Sequence, residues 1–387
     1  MNRPRIFLSI SKIEEESAER MIRGVLQNQK LQRTWDFYWD EANRLAAEPE
    51  MLGRGKWDGV ISRHTTAAIV DVCKRLKIPL VDLNDCPPFP RIPKVRPDNP
   101  KVGRLGAEHL LSRGFHHFAF VGFHNAEWST QRLDGFSARL REAGRQPVIF
   151  ESLFEPACSP EWTSSETAAL MEWLRTLRHP LGIMACNDLR AIQIEDACRK
   201  LRLRVPEDVA VLGVNDNEIR CELAHPALSS INIGQHQMGM RAAQILQELL
   251  AGDMVPAPET LLDPLGIVMR QSTDILAIQH PKLTGALKYI HAHACKGITV
   301  SAVSNHTGIA RTQLETVFRK LLGRSPGAEI RQVQLAKIRE LLLGTDLTVK
   351  AISEKTGFRH AEYLNVFFKR ATGETPGQYR ERMREIA

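Results

Sequence analysis

The sequence predicts an α/β protein of two lobes built on parallel sheets, followed by an all-α domain with two helix-turn-helix motifs. Three observations predict it. Residues 1–270 alternate short β-branched runs with amphipathic helical stretches, the pattern of βαβ units. From residue 282 onward only helical patterns remain. Charge divides the same way: residues 281–387 carry 18 Lys and Arg against 9 Asp and Glu, while the remainder has 34 against 36. A basic module on a nearly neutral body points to a polyanion partner.

The elements follow in order. "RIFLSI" (5–10) reads as a strand and 15–29 as a helix; "DGVIS" (58–62) is a buried strand, followed by a helix near 66–77 and the strand "PLVDL" (79–83). Then come a helix at 100–113, the strand "FAFVG" (118–122), a helix at 131–143 and the strand "PVIF" (147–150). A helix at 165–177, the strand "LGIMA" (181–185), a helix at 188–200 and the strand "VAVLGV" (209–214) complete the alternation. These are too many for one compact sheet, so two doubly wound lobes with a cleft between them are expected. Ligands of such sheets bind at the carboxyl ends of strands. The expected organisation is 1–273 for the two lobes, with crossings near 123–127, 232–236 and 252–262, a linker at 274–281, and the helical domain at 282–387.

No apolar run approaches the roughly 18 residues that span a membrane, and the opening "MNRPRIFLSI" lacks a signal-peptide h-region. The seven cysteines form no CxxC pair, which fits a reducing cytoplasm with free thiols. "HAHAC" (291–295) places only His291 and Cys295 on one helical face, so no metal is expected. There is no Walker A loop, HExxH or GxSxG elbow. Neither catalysis nor a cofactor is expected.

The helical domain contains one internal repeat. With Gly308 laid on Gly357, "VSAVSNHT" (300–307) falls over "VKAISEKT" (349–356). Val300 and Val303 match Val349 and Ile352 as an apolar stripe, and Ser304 and Ser353 are small where a second helix must cross. Each glycine suits the positive φ of a helix end. Ile309 and Phe358 plug the corner, and Leu314 with Phe318, and Leu364 with Phe368, anchor the second helix. Each copy closes with Gly-x-[Ser/Thr]-Pro, at 323–326 and 373–376: Gly stops one helix, Ser or Thr caps the next and Pro occupies its first turn. This is a helix-turn-helix, twice, with residues 330–349 as a long amphipathic connector.

"GIARTQLETVFRKLLGRSP", "LAKIRELLLGTDLTVKAISEKTGF" and "YLNVFFKRATGETPGQYR" make residues 283–384 resemble the AraC/XylS-type DNA-binding domain. The resemblance implies that the first reading helix presents Arg311, Thr312, Glu315 and Thr316 to double-stranded operator DNA, and the second His360, Ala361, Glu362 and Asn365. Arg319, Lys320, Lys369 and Arg370 would hold phosphates, which position the protein while base contacts specify sequence.

In the body, "VRPDNPKVGRLGAEHLLSRGFHHFAFVG" (95–122), "QRLDGFSARL" (131–140), "MACNDLRA" (184–191), "DVAVLGVNDNE" (208–218) and "LSSINIGQHQMGMRAAQIL" (228–246) resemble the LacI-type regulatory domain, a periplasmic-binding-protein-like fold of type I. LacI-type regulators carry a DNA-binding headpiece before this domain; here a strand begins at residue 5, and the basic domain lies at the other end. The resemblance implies a small sugar effector, D-xylose or a related pentose. It implies Asp98, Arg132, Asn187, Asp216 and Gln235 as its contacts, with Trp128 either stacking on a sugar face or packing the lobe. Asp216 and Arg132 are expected to face each other across the cleft mouth. Asn99 and Asp188 read as helix N-caps. The whole is expected to be a bacterial, cytoplasmic, nucleoid-associated transcription regulator, a homodimer, with RNA polymerase as partner if it activates. The rivals are the same architecture with another sugar or sugar derivative, a carbohydrate-processing enzyme, and a sugar-binding protein without a regulatory role.

Overall fold

Alternation along the first strand sets the first lobe. In β1 (Arg5–Ser9), Ile6 and Leu8 enter one core and Phe7 another, as in any strand buried on both faces. The computed structural model describes residues 3–11, 16–27, 34–84, 89, 91–154, 160–253, 259–274, 281–345 and 347–386. Around β1 lie β2 (Asp36–Trp39), β3 (Gly59–Ser62), β4 (Leu80–Asp82), β5 (Lys94–Pro97) and β11 (Glu259–Leu262), ordered β11-β5-β4-β3-β1-β2 with every pairing parallel. Helices α1 (Glu16–Gln27) and α9 (Gln235–Ala251) cover one face; the one-turn α2 (Arg44–Ala47) and α3 (Ala67–Leu76) cover the other.

The second lobe repeats the plan. β6 (His117–Phe123) sends Phe118 and Phe120 into one core and Ala119 and Val121 into the other. Its sheet is ordered β12-β10-β9-β8-β6-β7, with β7 (Pro147–Ser152), β8 (Leu181–Ala185), β9 (Val209–Val214), β10 (Ser229–Asn232) and β12 (Gly266–Val268). Only β12 runs antiparallel, against β10. One face takes α4 (Asn99–Ser112) and α5 (Glu127–Glu142), the other α6 (Pro160–Arg175) and α7 (Asp188–Lys200). The short α8 (Glu218–Leu223) follows β9.

The chain crosses between lobes three times. The expected crossing near 123–127 is corrected: β6 and the helices on both sides of it all belong to the second lobe, and the first crossing comes at residues 97–99, where β5 passes into α4. α4 reads from sequence as one more βαβ crossover, and nothing local shows which sheet it packs on. The second crossing comes at residues 232–235, where β10 passes into α9. The third joins β11 to β12 through 263–265, just beyond the expected 252–262, of which 254–258 lie outside the described residues. Residues 275–280 of the expected linker, and Cys86 and Cys158, also lie outside them.

From α10 (Pro281–His293) the chain is helical: α11 (Val300–Thr307), α12 (Arg311–Leu322), α13 (Pro326–Gly344), α14 (Val349–Lys355), α15 (Ala361–Thr372) and α16 (Pro376–Ile386). The repeat folds as its sequence demands. Gly308, Gly323 and Gly373 take positive φ at helix ends. Ser325 caps α13 by accepting from the Ala328 amide, and Thr375 accepts from that of Gln378. Leu314 and Phe318 fill one small core, Leu364 and Phe368 a second.

The two copies are locked together at one junction. Buried Gln334, on α13, donates through Nε2 to the Ala294 carbonyl at 3.3 Å and to the Thr356 carbonyl at 2.9 Å. Beside it Gly357 (φ 80°) lies so close to the 295–297 turn that a Cβ would sit 2.4 Å from the Gly297 amide nitrogen. Gly357→Ala therefore combines backbone strain with a backbone clash, whereas Gly373→Ala, at φ 87° with nothing within 4 Å of its Cβ, carries strain alone. Left-handed strain costs of the order of 1–3 kcal/mol. Far-UV circular dichroism during urea unfolding should show both variants destabilised and Gly357→Ala clearly the worse; equal losses would mean the junction yields.

Candidate ligand cleft and nucleic-acid interface

The carboxyl ends of the strands gather polar side chains that a sheet interior would reject. In the first lobe Ser9, Ser62, Asp82 and Lys94 follow one another in register across β1, β3, β4 and β5, and Asp40 lies just past β2. All five are almost completely buried. Lys94 Nζ lies 3.7 Å from the Asp82 carboxylate. Asp40 accepts from the Leu45 amide at 2.8 Å and has the Arg44 guanidinium 3.5 Å from its Oδ1, while Ser9 Oγ and Ser62 Oγ find no hydrogen-bond partner among the described residues. Buried polar atoms are rarely left so.

Opposite stands Asp216, after β9, in left-handed backbone (φ 52°) and 4% exposed. Arg270 meets its carboxylate at 3.0 Å, Asn232 Nδ2 donates to it at 3.3 Å, and Arg20 of α1 reaches it from the first lobe at 3.5 Å. Burial pushes the Asp216 carboxyl above its usual range, and Arg270 and Arg20 oppose that rise. The expectation that Asp216 faces Arg132 across the cleft is corrected: both belong to the second lobe, and the cross-lobe partner is Arg20. Arg132, on α5, is buried; its Nε donates to Asn99 Oδ1 at 2.9 Å and its Nη1 to the Cys186 carbonyl at 2.5 Å.

The helix caps are also corrected by one residue. Asp98, not Asn99, caps α4 by accepting from the Lys101 amide, and Asn187, not Asp188, caps α7 by accepting from that of Arg190. Asn99 is thereby free to hold Arg132. Asp188 turns inward, accepting from Ser230 Oγ at 2.5 Å and the Asn217 amide at 2.8 Å. Gly213 makes room for it, since a Cβ there would lie 2.3 Å from Asp188 Oδ1.

Gln235 sits at the second crossing and donates to the Asn215 carbonyl at 2.7 Å, while its Oε1, like Asn215 Oδ1, is buried with no partner among the described residues. Trp128 packs edge-on to Phe123 and Phe154 with the Arg132 guanidinium 5.0 Å from its ring centre. So Asp98, Asn187, Arg132, Trp128, Asp216 and Gln235 all lie at strand ends or on the helices that leave them. Arg20, Arg270, Asn232 and the first-lobe row were missed. A separate cavity of about 360 Å³ lies on the outer flank of the second lobe, with Glu195, Leu189 and Leu223 in its walls.

On the helical domain Arg311, Thr312, Thr316, Arg319 and Lys320 are exposed on α12, as are His360, Glu362, Lys369 and Arg370 at or on α15; Glu315, Ala361 and Asn365 are half-buried. Gln313, Tyr363 and Val366 share these outward faces and were missed. They were legible, since the core anchors Leu314 and Leu364 fix which side of each helix is left for a partner. At the start of α13, burial alone would raise the Glu329 carboxyl, but His291 and Arg324 hold it down at about 2. Arg113, at the end of α4, is lowered by burial to about 10 against the attraction of Glu329 and Asp274. α4 thus starts at the cleft and ends within electrostatic reach of the helical domain.

Comparison with known proteins agrees with both halves. Residues 107–273 match the periplasmic binding protein-like domain and residues 303–382 a helix-turn-helix domain. The chain is 31% identical over 367 residues to the xylose operon regulatory protein of Escherichia coli (strain K12), covering 92% of each. It superposes on the structure of a xylose-binding transcription activator with a TM-score of 0.62 and 30% identity, covering 98% of both chains. A LacI family regulator from Enterococcus faecium with bound ribose, 22% identical, shares the fold of the body at a TM-score of 0.58 over 71% of this chain and 100% of its own.

The buried Asp188 carboxyl generates a pH prediction. Burial pushes it up to about 7, and the Asp216 charge adds to this, while Ser230, the Asn217 amide and Arg270 pull the other way. A carboxyl raised in the folded state stabilises fully below its unfolded value, 3.8, and loses that contribution as pH rises toward about 7. Melting temperatures of the wild type should fall across this window more steeply than those of Asp188→Asn. Parallel profiles would show that Asp188 is ionised throughout.

Proposed function

We propose, because the chain belongs to the family of xylose operon regulatory proteins, that its cleft takes D-xylose or a closely related pentose and that lobe closure on the sugar alters how its two helix-turn-helix motifs engage DNA. It is a sequence-specific DNA-binding transcription regulator with a sugar-sensing domain. The observation that carries the sugar reading is Asp216, whose partners come from both lobes. A polyol competes for such a carboxylate and its arginines through hydroxyls that both donate and accept, replacing the hydrogen bonds it loses to water. Ser9, Ser62, Asp40, Asn215 and Gln235 supply further polar atoms at the same strand ends. Asp98, Asn187, Arg132 and Trp128 complete the proposed effector contacts.

On this reading binding and conformation are one event. Sugar that exchanges with Arg20 at Asp216 changes what holds the lobes together, and α4 carries the change toward Glu329. The coupling is reciprocal, so operator DNA must alter sugar affinity by the same factor. The two reading helices, with Arg319, Lys320, Lys369 and Arg370 on phosphates, address successive major-groove segments of one duplex. The protein acts in the bacterial cytoplasm at the nucleoid as a homodimer on paired half-sites, without catalysis, and meets RNA polymerase there if it activates.

Thermal shift with D-xylose, L-arabinose, D-ribose and D-glucose tests the sugar. A ligand exclusive to the native state stabilises it by about 2.7 kcal/mol at a hundredfold excess over its dissociation constant. D-xylose should give the largest shift, and Asp216→Asn should lose it while retaining salt-dependent binding to duplex DNA. A larger shift with another sugar reassigns the effector; no shift with any, or full response in Asp216→Asn, overturns the cleft assignment.

A further inference from the structure

We infer that the second reading helix recognises thymine through its 5-methyl group, so that the major-groove segment under α15 is read by apolar contact and the one under α12 by hydrogen bonds. The inference rests on the reading of both helices as major-groove elements. With the core anchors matched, Leu314 on Leu364 and Phe318 on Phe368, Gln313 of the first copy falls on Tyr363 of the second and Thr316 on Val366. The first helix offers amide and hydroxyl where the second offers an aromatic ring and two methyls.

Tyr363 is 67% and Val366 69% exposed, and among the described residues no other large apolar side chain of the helical domain is so exposed. One such residue on a surface is ordinary. Here two lie one turn apart, opposite the Leu364–Phe368 core, and the Tyr363 ring leans toward His360 with centroids 5.8 Å apart. Exposed Arg359 and His360 precede them, exposed Glu362 adjoins Tyr363, and exposed Lys369 and Arg370 follow. Such basic flanks suit neither a hydrophobic protein groove nor plain solvent. They suit a surface that is polyanionic at its edges and apolar at points within. The DNA major groove is that surface: phosphates line it, and thymine is the base that presents a methyl group there. Tyr363 stands in the first turn of α15 and Val366 in the second, the end of a reading helix that contacts base edges.

Gln313 and Thr316 are suited to different partners. An amide pairs with adenine through N6 and N7, and the Thr316 hydroxyl, which donates to the Thr312 carbonyl at 2.9 Å, keeps its lone pairs to accept from a base-edge amino group. Two copies of one motif therefore demand different things of the DNA, which makes the site asymmetric and fixes the orientation of each protomer on it.

The test uses the full chain. Duplexes are selected from a random-sequence pool, and each thymine of the preferred site is replaced singly by deoxyuridine, which deletes the methyl and leaves every hydrogen-bonding group. One or two positions confined to the groove segment under α15 of each protomer should lose about fourfold in affinity each, the equivalent of one buried methyl, while those under α12 change less than twofold. Val366→Ala should lose a similar factor on the thymine site and nothing more on the deoxyuridine site. Losses that multiply between Val366→Ala and deoxyuridine, or deoxyuridine tolerated everywhere, overturn the inference while leaving DNA binding intact. If the chain binds no duplex in a salt-dependent way, the major-groove reading itself fails.

Discussion

A carboxylate taken out of water must be answered by charge, and the sensing body is arranged around that requirement at Asp216. An unpaired buried charge costs several kcal/mol, whereas an exposed ion pair contributes almost nothing. The partners of Asp216 are drawn from the far corners of the chain: Arg20 near the start, Arg270 near the end of the body, and Asn232 at a crossing. Arg270 and Asn232 pair with it inside the second lobe, and Arg20 can do so only when both lobes are folded and correctly opposed. The ion pair that joins the lobes therefore stands among the buried polar side chains of the strand ends.

The helical domain answers the same rule with a neutral group. Gln334 is buried, and its amide donates to a carbonyl of the turn that precedes the first copy of the motif and to a carbonyl within the second. The glycine-to-glycine contact at 297 and 357 removes the space in which the copies could turn against each other. At Asp216 the body relies on charge from distant parts of the chain, and at Gln334 the reading domain on neutral close contact.

That difference explains what the sequence could tell. The helix-turn-helix pair was legible to single residues because its determinants are local: a glycine at a positive φ, a Ser or Thr before Pro, core anchors four apart. The doubly wound lobes were legible from periodicity, but β2, β5, β10, β11 and β12 were not. They are three or four residues long and carry groups such as Lys94, Arg96 and Glu259, or the run Ser229–Ser230, that period-two patterns exclude. The caps at "DN" (98–99) and "ND" (187–188) were displaced by one because both residues of each pair are good caps, and only packing decides which side chain turns inward. Arg20 was invisible for a stronger reason. Its partner lies nearly two hundred residues away, and neither carries a local mark of the other.

Three neighbouring passages of the chain join the lobes, at 97–99, 232–235 and 263–265. One tether would leave a free joint, and two an axle about which the lobes could still shear. Three side by side leave a single soft coordinate, the angle of opening. A sugar that fits and an analogue too bulky to be enclosed must then act along the same coordinate in opposite directions, as a latch and as a wedge. Whatever the chemistry of the molecule in the cleft, the reading domain receives one number.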